Sequence, residues 1–305
     1  MSTPTFRTAV VRTPNGPDSI EVIDVPLTEP GPGQVRVAVA ASPVNPTDLG
    51  VVGGFFHTMG MINQPEHTGL GWDFAGVVDA AGPGVELTTG TRVAGVVVGF
   101  DRDFSTFAER LIVDAADLAV VPDALDLAAA STVPLSGLSA AQIVDHLGEA
   151  PTEGARLLVT GAAGAIGANV IALALDRNWQ VTGLARAADE AFVRGLGADF
   201  TVEAGQGWDA VVDTSSQQEW GLAPVRDGGI FVGVRPNLVP EAERGISVKT
   251  LMAESDSARL GELLDRAASD RLPTRVHAVL PLHEIAEAYK ATAKGGLRGR
   301  YVVKP

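Results

Sequence analysis

Residues 157–167 read Leu157-Leu158-Val159-Thr160-Gly161-Ala162-Ala163-Gly164-Ala165-Ile166-Gly167. An apolar run of strand character passes into three glycines spaced by two residues, and an Ala-rich, helix-forming stretch follows. Glycines permit a tight turn, close backbone approach to a ligand, and close packing of helix on strand. The first turn of a helix offers unpaired N–H groups and the positive end of its dipole to an anion. The spacing therefore predicts a pyrophosphate-binding turn made by Gly161, Ala162, Ala163, Gly164, Ala165, Ile166 and Gly167. The same spacing also suits a merely tight strand-to-helix turn. The βαβ context favours a dinucleotide: helix over 165–177, then strand over 180–184.

Outward from this turn, strand and helix alternate. A helix is expected over 189–196 and strands over 199–202, 210–213, 229–234 and 246–252. That alternation predicts an α/β fold with a doubly wound parallel sheet covered by helices on both faces. Open sheets of this kind bind ligands at the C-terminal ends of their strands, which places Thr214, Ser215, Gly233 and Val234 toward a cofactor. An acid closing the second strand would bond a ribose 2′-hydroxyl, but here the strand runs into Gly183-Leu184-Ala185-Arg186. Arg186 is suited to a 2′-phosphate held in a bidentate fork, which predicts NADPH over NADH; a solvated surface arginine is the alternative.

The first third is different. Short β-branched runs at 8–12, 19–25, 34–41, 74–80 and 92–98 are separated by Gly/Pro turns, suggesting a partly open barrel or a sandwich. Residues 123–147 are Ala-rich and helical in pattern, with a break at Pro134. The tail returns to strand at 275–280, helix at 283–293 and strand at 300–304, and the last strand is expected to pair with the first domain's sheet. A further amphipathic helix is expected over 257–268.

The chain has 305 residues, more than one hydrophobic core usually serves, so two domains are expected. Its net charge of −14 argues against nucleic acid as a partner. No apolar run reaches the roughly 18–20 residues of a membrane helix, and the first residues lack a signal peptide's apolar core, so a cytoplasmic enzyme is expected. There is no cysteine, which excludes disulfides, thiol nucleophiles and cysteine-ligated zinc.

Several segments, in order, carry a resemblance. They are Asn45-Pro46-Thr47-Asp48, Gly71-Trp72-Asp73-Phe74-Ala75-Gly76, Gly90-Thr91-Arg92-Val93, Pro134 to Ala140, and Arg298-Gly299-Arg300-Tyr301-Val302-Val303. Together with the glycine turn, the chain resembles the medium-chain dehydrogenase/reductase superfamily in its zinc-independent, quinone oxidoreductase-like branch. The resemblance implies a GroES-like β-rich catalytic domain over 1–122, completed by 274–305, and a Rossmann NADPH-binding domain over 123–273. Zinc-dependent relatives place a Cys near Asn45 and a His-Glu pair at Trp72-Asp73, so no metal is expected here. By the same resemblance Ser136 and Ser139 lie where the nicotinamide ribose binds, with ordinary helix capping as the alternative. Arg300, in place of the usual Lys, is also expected at the cofactor.

Without a Lewis acid, the expected chemistry is hydride transfer from NADPH to a quinone or an α,β-unsaturated carbonyl. Asn45 is the candidate catalytic and substrate-contacting residue, with loop scaffolding as the alternative; Asp48 is expected to be structural. Relatives often carry a Tyr in the following loop. Here Phe55 and Phe56 occupy it, expected to line an apolar substrate pocket or simply to pack, and the proton is expected from water. An enoyl-thioester reductase and a non-catalytic NADPH sensor are the competing functions. A homodimer is expected, with residues 246–252 as the pairing edge.

Overall fold

The computed structural model describes residues 4–215, 221–238 and 240–305. The chain divides into two units: Met1–Leu135 with Ser255–Ser269 and Thr274–Pro305, and Ser136–Glu254 with Asp270–Pro273.

The first unit opens with strands β1 (Thr5–Val11), β2 (Ile20–Pro26) and β3 (Gln34–Pro43). Short helices α1 (Asp48–Val52) and α2 (Phe55–Thr58) follow, then β4 (Thr68–Gly69), β5 (Asp73–Ala81), β6 (Arg92–Val96), β7 (Arg110–Asp114), β8 (Leu118–Val120) and α3 (Leu127–Ser131). In β3 the valines at 35, 37 and 39 are buried and alternate with half-buried neighbours, the period of a strand with one face in the core. They pack with Phe74, Val78, Val93, Leu111 and Leu118. A second core gathers Ala9, Val11, Leu70, Phe107, Ile285 and Tyr289.

Helix α4 (Pro134–Leu147) leads into the second unit, which contains β9 (Arg156–Thr160), α5 (Ala165–Leu175), β10 (Gln180–Leu184), α6 (Glu190–Gly195), β11 (Asp199–Thr201), β12 (Trp208–Asp213), β13 (Val225–Gly233) and β14 (Ser247–Thr250). The break expected at Pro134 is the start of α4. These six strands form one parallel sheet in the order β11-β10-β9-β12-β13-β14. Counted within the unit this is 3-2-1-4-5-6, the Rossmann order, and its winding reverses between β9 and β12. Leu157, Leu158 and Val159 are wholly buried, as a central parallel strand requires.

The chain then returns to the first unit through α7 (Ser257–Ala268), β15 (Val276–Pro281), α8 (Ile285–Lys294) and β16 (Arg300–Lys304). The last strand pairs antiparallel with β3, Val302 opposite Pro43 and Val303 opposite Ser42, as the sequence predicts for the tail. The larger sheet runs β15-β16-β3-β5-β6-β8, with β7 also on β3. The expected boundaries at 122 and 274 shift in this division. Residues 123–135 and 255–269 group with the first unit, because α3 packs on β3 and β5 and α7 packs on β8. Strands β4, β7 and β8 have no counterpart in the sequence reading; β4 and β8, of two and three residues, are too short to show a period.

Candidate functional site

In the second unit the glycine turn lies at the C-terminal end of β9, beside the reversal point. Gly161 has φ +64°, the left-handed region that favours glycine. A Cβ at Gly167 would strike the carbonyl oxygen of Gly161, so the helix lies directly against the turn. Gly164 differs. It is the extended residue ahead of α5 (φ −77°, ψ 171°), and a Cβ there would meet only the Gly161 carbonyl oxygen, at 3.1 Å. The amides of Ala165, Ile166 and Gly167 precede the first regular helical bond, from Ala168 N–H to the Gly164 carbonyl at 3.0 Å. The turn thus presents a bare backbone surface backed by the N-terminus of a helix of 11 residues.

Beneath the turn, Asp213 is buried at the end of β12. Its Oδ1 accepts from Thr160 Oγ1 (2.5 Å), Ser215 N–H (2.9 Å) and Ser215 Oγ (2.6 Å). Thr214 Oγ1 donates to the Thr160 carbonyl at 2.7 Å. The hydroxyls of Thr214 and Ser215, expected toward a cofactor, hold the turn itself. Gly233 closes β13, with Val234 next in the chain. Arg186 is two residues beyond β10, over half exposed, and its Nε lies 3.1 Å from the buried Asp189 carboxylate. Ser136 and Ser139 are both buried on the first turns of α4.

In the first unit, Asn45 is 1% exposed. Its Nδ2 donates to Asp73 Oδ1 at 2.7 Å and to the Pro43 carbonyl at 3.2 Å, while its backbone N–H donates to Asp48 Oδ2 at 2.7 Å. Asp73 Oδ2 accepts the Leu135 N–H at 3.2 Å. Burial pushes the Asp48 carboxyl up to about 7, with Asp73's charge adding to the rise. Burial likewise raises Asp73 to about 6, although Arg300, Asn45 and Leu135 oppose it. Arg300 is buried and its charge acts on both carboxylates; burial lowers its pKa. Arg300, expected at the cofactor, is therefore a counter-charge inside the first unit.

Phe55 is 47% exposed. Phe56 is not equally available: its ring stacks on Phe100 at 3.7 Å and sits where a Cβ on Gly50 would be. Phe100 in turn meets the buried Trp72 edge-on at 4.9 Å, and the Arg102 guanidinium lies over the Trp72 ring. Sequence reasoning missed Arg102, which belongs to no spaced motif and acts through long-range contacts. Asp213, expected with Thr214 and Ser215 at a ligand-facing strand end, is instead buried and bonded to Thr160 and Ser215.

The chain matches two sequence families, "Alcohol dehydrogenase GroES-like domain" over residues 31–123 and "Zinc-binding dehydrogenase" over residues 186–303. It is similar to the chloroplast envelope quinone oxidoreductase homolog of Arabidopsis thaliana, 24% identical over 95% of both chains. The structure is similar to that of the quinone oxidoreductase from Coxiella burnetii, with a TM-score of 0.88 and 22% identity over 99% of this chain and 100% of the other. It is also 30% identical, over 77% of its length, to pikromycin polyketide synthase component PikAII of Streptomyces venezuelae, of which it spans 7%.

The family binds a nicotinamide dinucleotide, and the turn fits one, since no side chain stands over the backbone at Gly164. A zinc ion does not fit. The positions that zinc-dependent relatives use hold a carboxamide spent on Asp73, a packed indole and a carboxylate bonded to Asn45 and Leu135. Among the described residues no three His, Cys, Asp or Glu side chains are grouped to hold a metal, and no helix is long and apolar enough to cross a membrane. With a GroES-like unit, a Rossmann unit and both family matches in chain order, this protein belongs to the medium-chain dehydrogenase/reductase superfamily of oxidoreductases and has the fold of its quinone oxidoreductase-like members.

Proposed function

We propose that the chain is a zinc-independent, NADPH-dependent reductase of small quinones or α,β-unsaturated carbonyls, working in the cytoplasm as a homodimer. The observation that carries it is the glycine turn at the reversal point of the parallel sheet, with no side chain over Gly164, and with Arg186 and no acid closing β10. The amides of Ala165, Ile166 and Gly167 would hold the pyrophosphate and Arg186 the 2′-phosphate, while the Ala162 and Gly164 amides are spent on the Leu184 and Gly161 carbonyls. Asp189 holds Arg186 through Nε, which orients the fork. The bound cofactor supplies hydride; the protein's own tasks are binding, orientation and exclusion of water.

Quinones and enones suit a site with no metal, because their conjugation spreads the negative charge that hydride delivers. Phe55, exposed beside Phe56, offers an apolar ring to such a substrate. Asn45 has both amide hydrogens committed, which favours holding the 43–48 loop over donating to a substrate oxygen. Tyr289 is wholly buried and burial raises its pKa, so it is no proton donor, and water delivers the proton. The sheet edge β14, with Met252 71% exposed just after it, supports pairing of two copies.

A second reading, reduction of an enoyl thioester, is favoured by the similarity to a segment of a polyketide synthase. The test is oxidation of NADPH and NADH against 1,4-benzoquinone, methyl vinyl ketone and crotonyl-CoA, with and without EDTA. EDTA-insensitive turnover of the first two with NADPH is expected. Preferred turnover of crotonyl-CoA selects the second reading, and tight NADPH binding with no turnover overturns both in favour of a sensor.

A further inference from the structure

We infer that Asp213 is a positioning residue for the nucleotide turn, a buried clamp at the end of β12 that sets the path of Thr160 into Gly161. This rests on the nucleotide-binding reading above and names what shapes that site from below.

Thr160 and Asp213 face each other across the β9–β12 pair. A single carboxylate oxygen, Oδ1, gathers the Thr160 hydroxyl, the Ser215 amide and the Ser215 hydroxyl, while Thr160 Oγ1 and Ser215 Oγ lie 3.1 Å apart. Thr214 completes the clamp from the other side, donating to the carbonyl of Thr160 at 2.7 Å and approaching that of Gly161 at 3.4 Å. Its Oγ1 would lie 2.8 Å from a Cβ on Gly161, so the clamp sits directly under the turn. Glycine in a left-handed conformation loses much backbone freedom on ordering. Side-chain bonds on both sides of the Thr160–Gly161 peptide fix that conformation before any ligand arrives.

The set of donors on one acceptor oxygen makes the arrangement specific. Asp213 is 2% exposed and its Oδ2 has no partner among the described residues. Leaving a buried carboxylate oxygen unpaired is costly, and the three bonds on Oδ1 offset that cost. Three donors on one oxygen hold the carboxylate in a single orientation, which a purely space-filling residue would not need.

The test compares two fragments on wild type, Asp213→Ala and Asp213→Asn by calorimetry: 2′-phospho-ADP-ribose, which contains the pyrophosphate, and 2′-AMP, which does not. Asp213→Ala is expected to weaken the first about tenfold and leave the second unchanged, and Asp213→Asn, which keeps an acceptor, to stay within about threefold of wild type. Should Asp213→Ala not fold, Thr160→Val removes one clamp donor at nearly constant shape and is read the same way. Unchanged binding of both fragments overturns the inference, as does equal loss of both, which marks a general structural role. If wild type binds neither fragment, the nucleotide reading itself fails and the inference with it.

Discussion

Asn45 and Asp73, 28 residues apart in the chain, are joined by a 2.7 Å bond from carboxamide nitrogen to carboxylate, with both side chains buried. The second amide hydrogen goes to the Pro43 carbonyl. Asn45→Ala strips a buried carboxylate of a donor and is expected to cost about 1–3 kcal/mol in urea unfolding. Asn45→Asp sets two carboxylates against each other, so its loss should grow as pH rises. A variant as stable as wild type at both pH 5 and pH 8 would remove the scaffolding role.

Asp48 makes stability depend on pH in a defined direction. Its folded pKa of about 7 lies above the ordinary 3.8, so the folded chain holds its proton more tightly than the unfolded one. That contribution is complete below about pH 4 and is lost as pH rises through 7. Asp73, raised to about 6, acts in the same sense, while Arg300 and Arg102 oppose ionic repulsion in the cluster. Asp48→Asn should match wild type near pH 4 and exceed it by on the order of a few kcal/mol at pH 8. Asp73 remains as Arg300's counter-charge in that variant. Denaturant curves at pH 4, 6 and 8 check this, and a variant weaker than wild type at pH 8 contradicts it.

Two glycines of the turn should respond differently to alanine. Gly164→Ala meets only one backbone oxygen, at 3.1 Å, so folding should survive while a methyl covers the bare surface. The expected result is a Tm lowered less than by Gly167→Ala, with NADPH affinity at least about tenfold weaker. Gly167→Ala drives Cβ into the Gly161 carbonyl and should lower Tm as well as affinity. Melting with and without NADPH separates the two.

Arg186→Ala should raise KM for NADPH about tenfold or more and leave KM for NADH unchanged, the signature of a lost 2′-phosphate contact. Equal effects on both cofactors would show that Arg186 only anchors the chain after β10.

The glycine turn between strand and helix was legible because its determinants are local. An apolar run, three glycines at fixed spacing and an Ala-rich helix lie within one stretch of chain, and the predicted strand over 180–184 coincides with β10. Helix α7, with its apolar stripe at Leu260, Leu263, Leu264 and Ala267, was equally plain. Which unit α7 joins was not, since an apolar stripe does not name its partner.

The sequence by itself determined the two architectures, the Rossmann turn and the return of the tail to the first sheet, because backbone periodicity and glycine spacing act over short range. Only the tertiary structure decided where the polar groups are spent. It bonded Thr214 to the Thr160 carbonyl and Ser215 to Asp213, buried Arg300 near Asp48 and Asp73, and committed Asn45's amide to Asp73. A hydrogen bond or buried charge depends on groups brought together from distant positions, and no local pattern records which of them will meet.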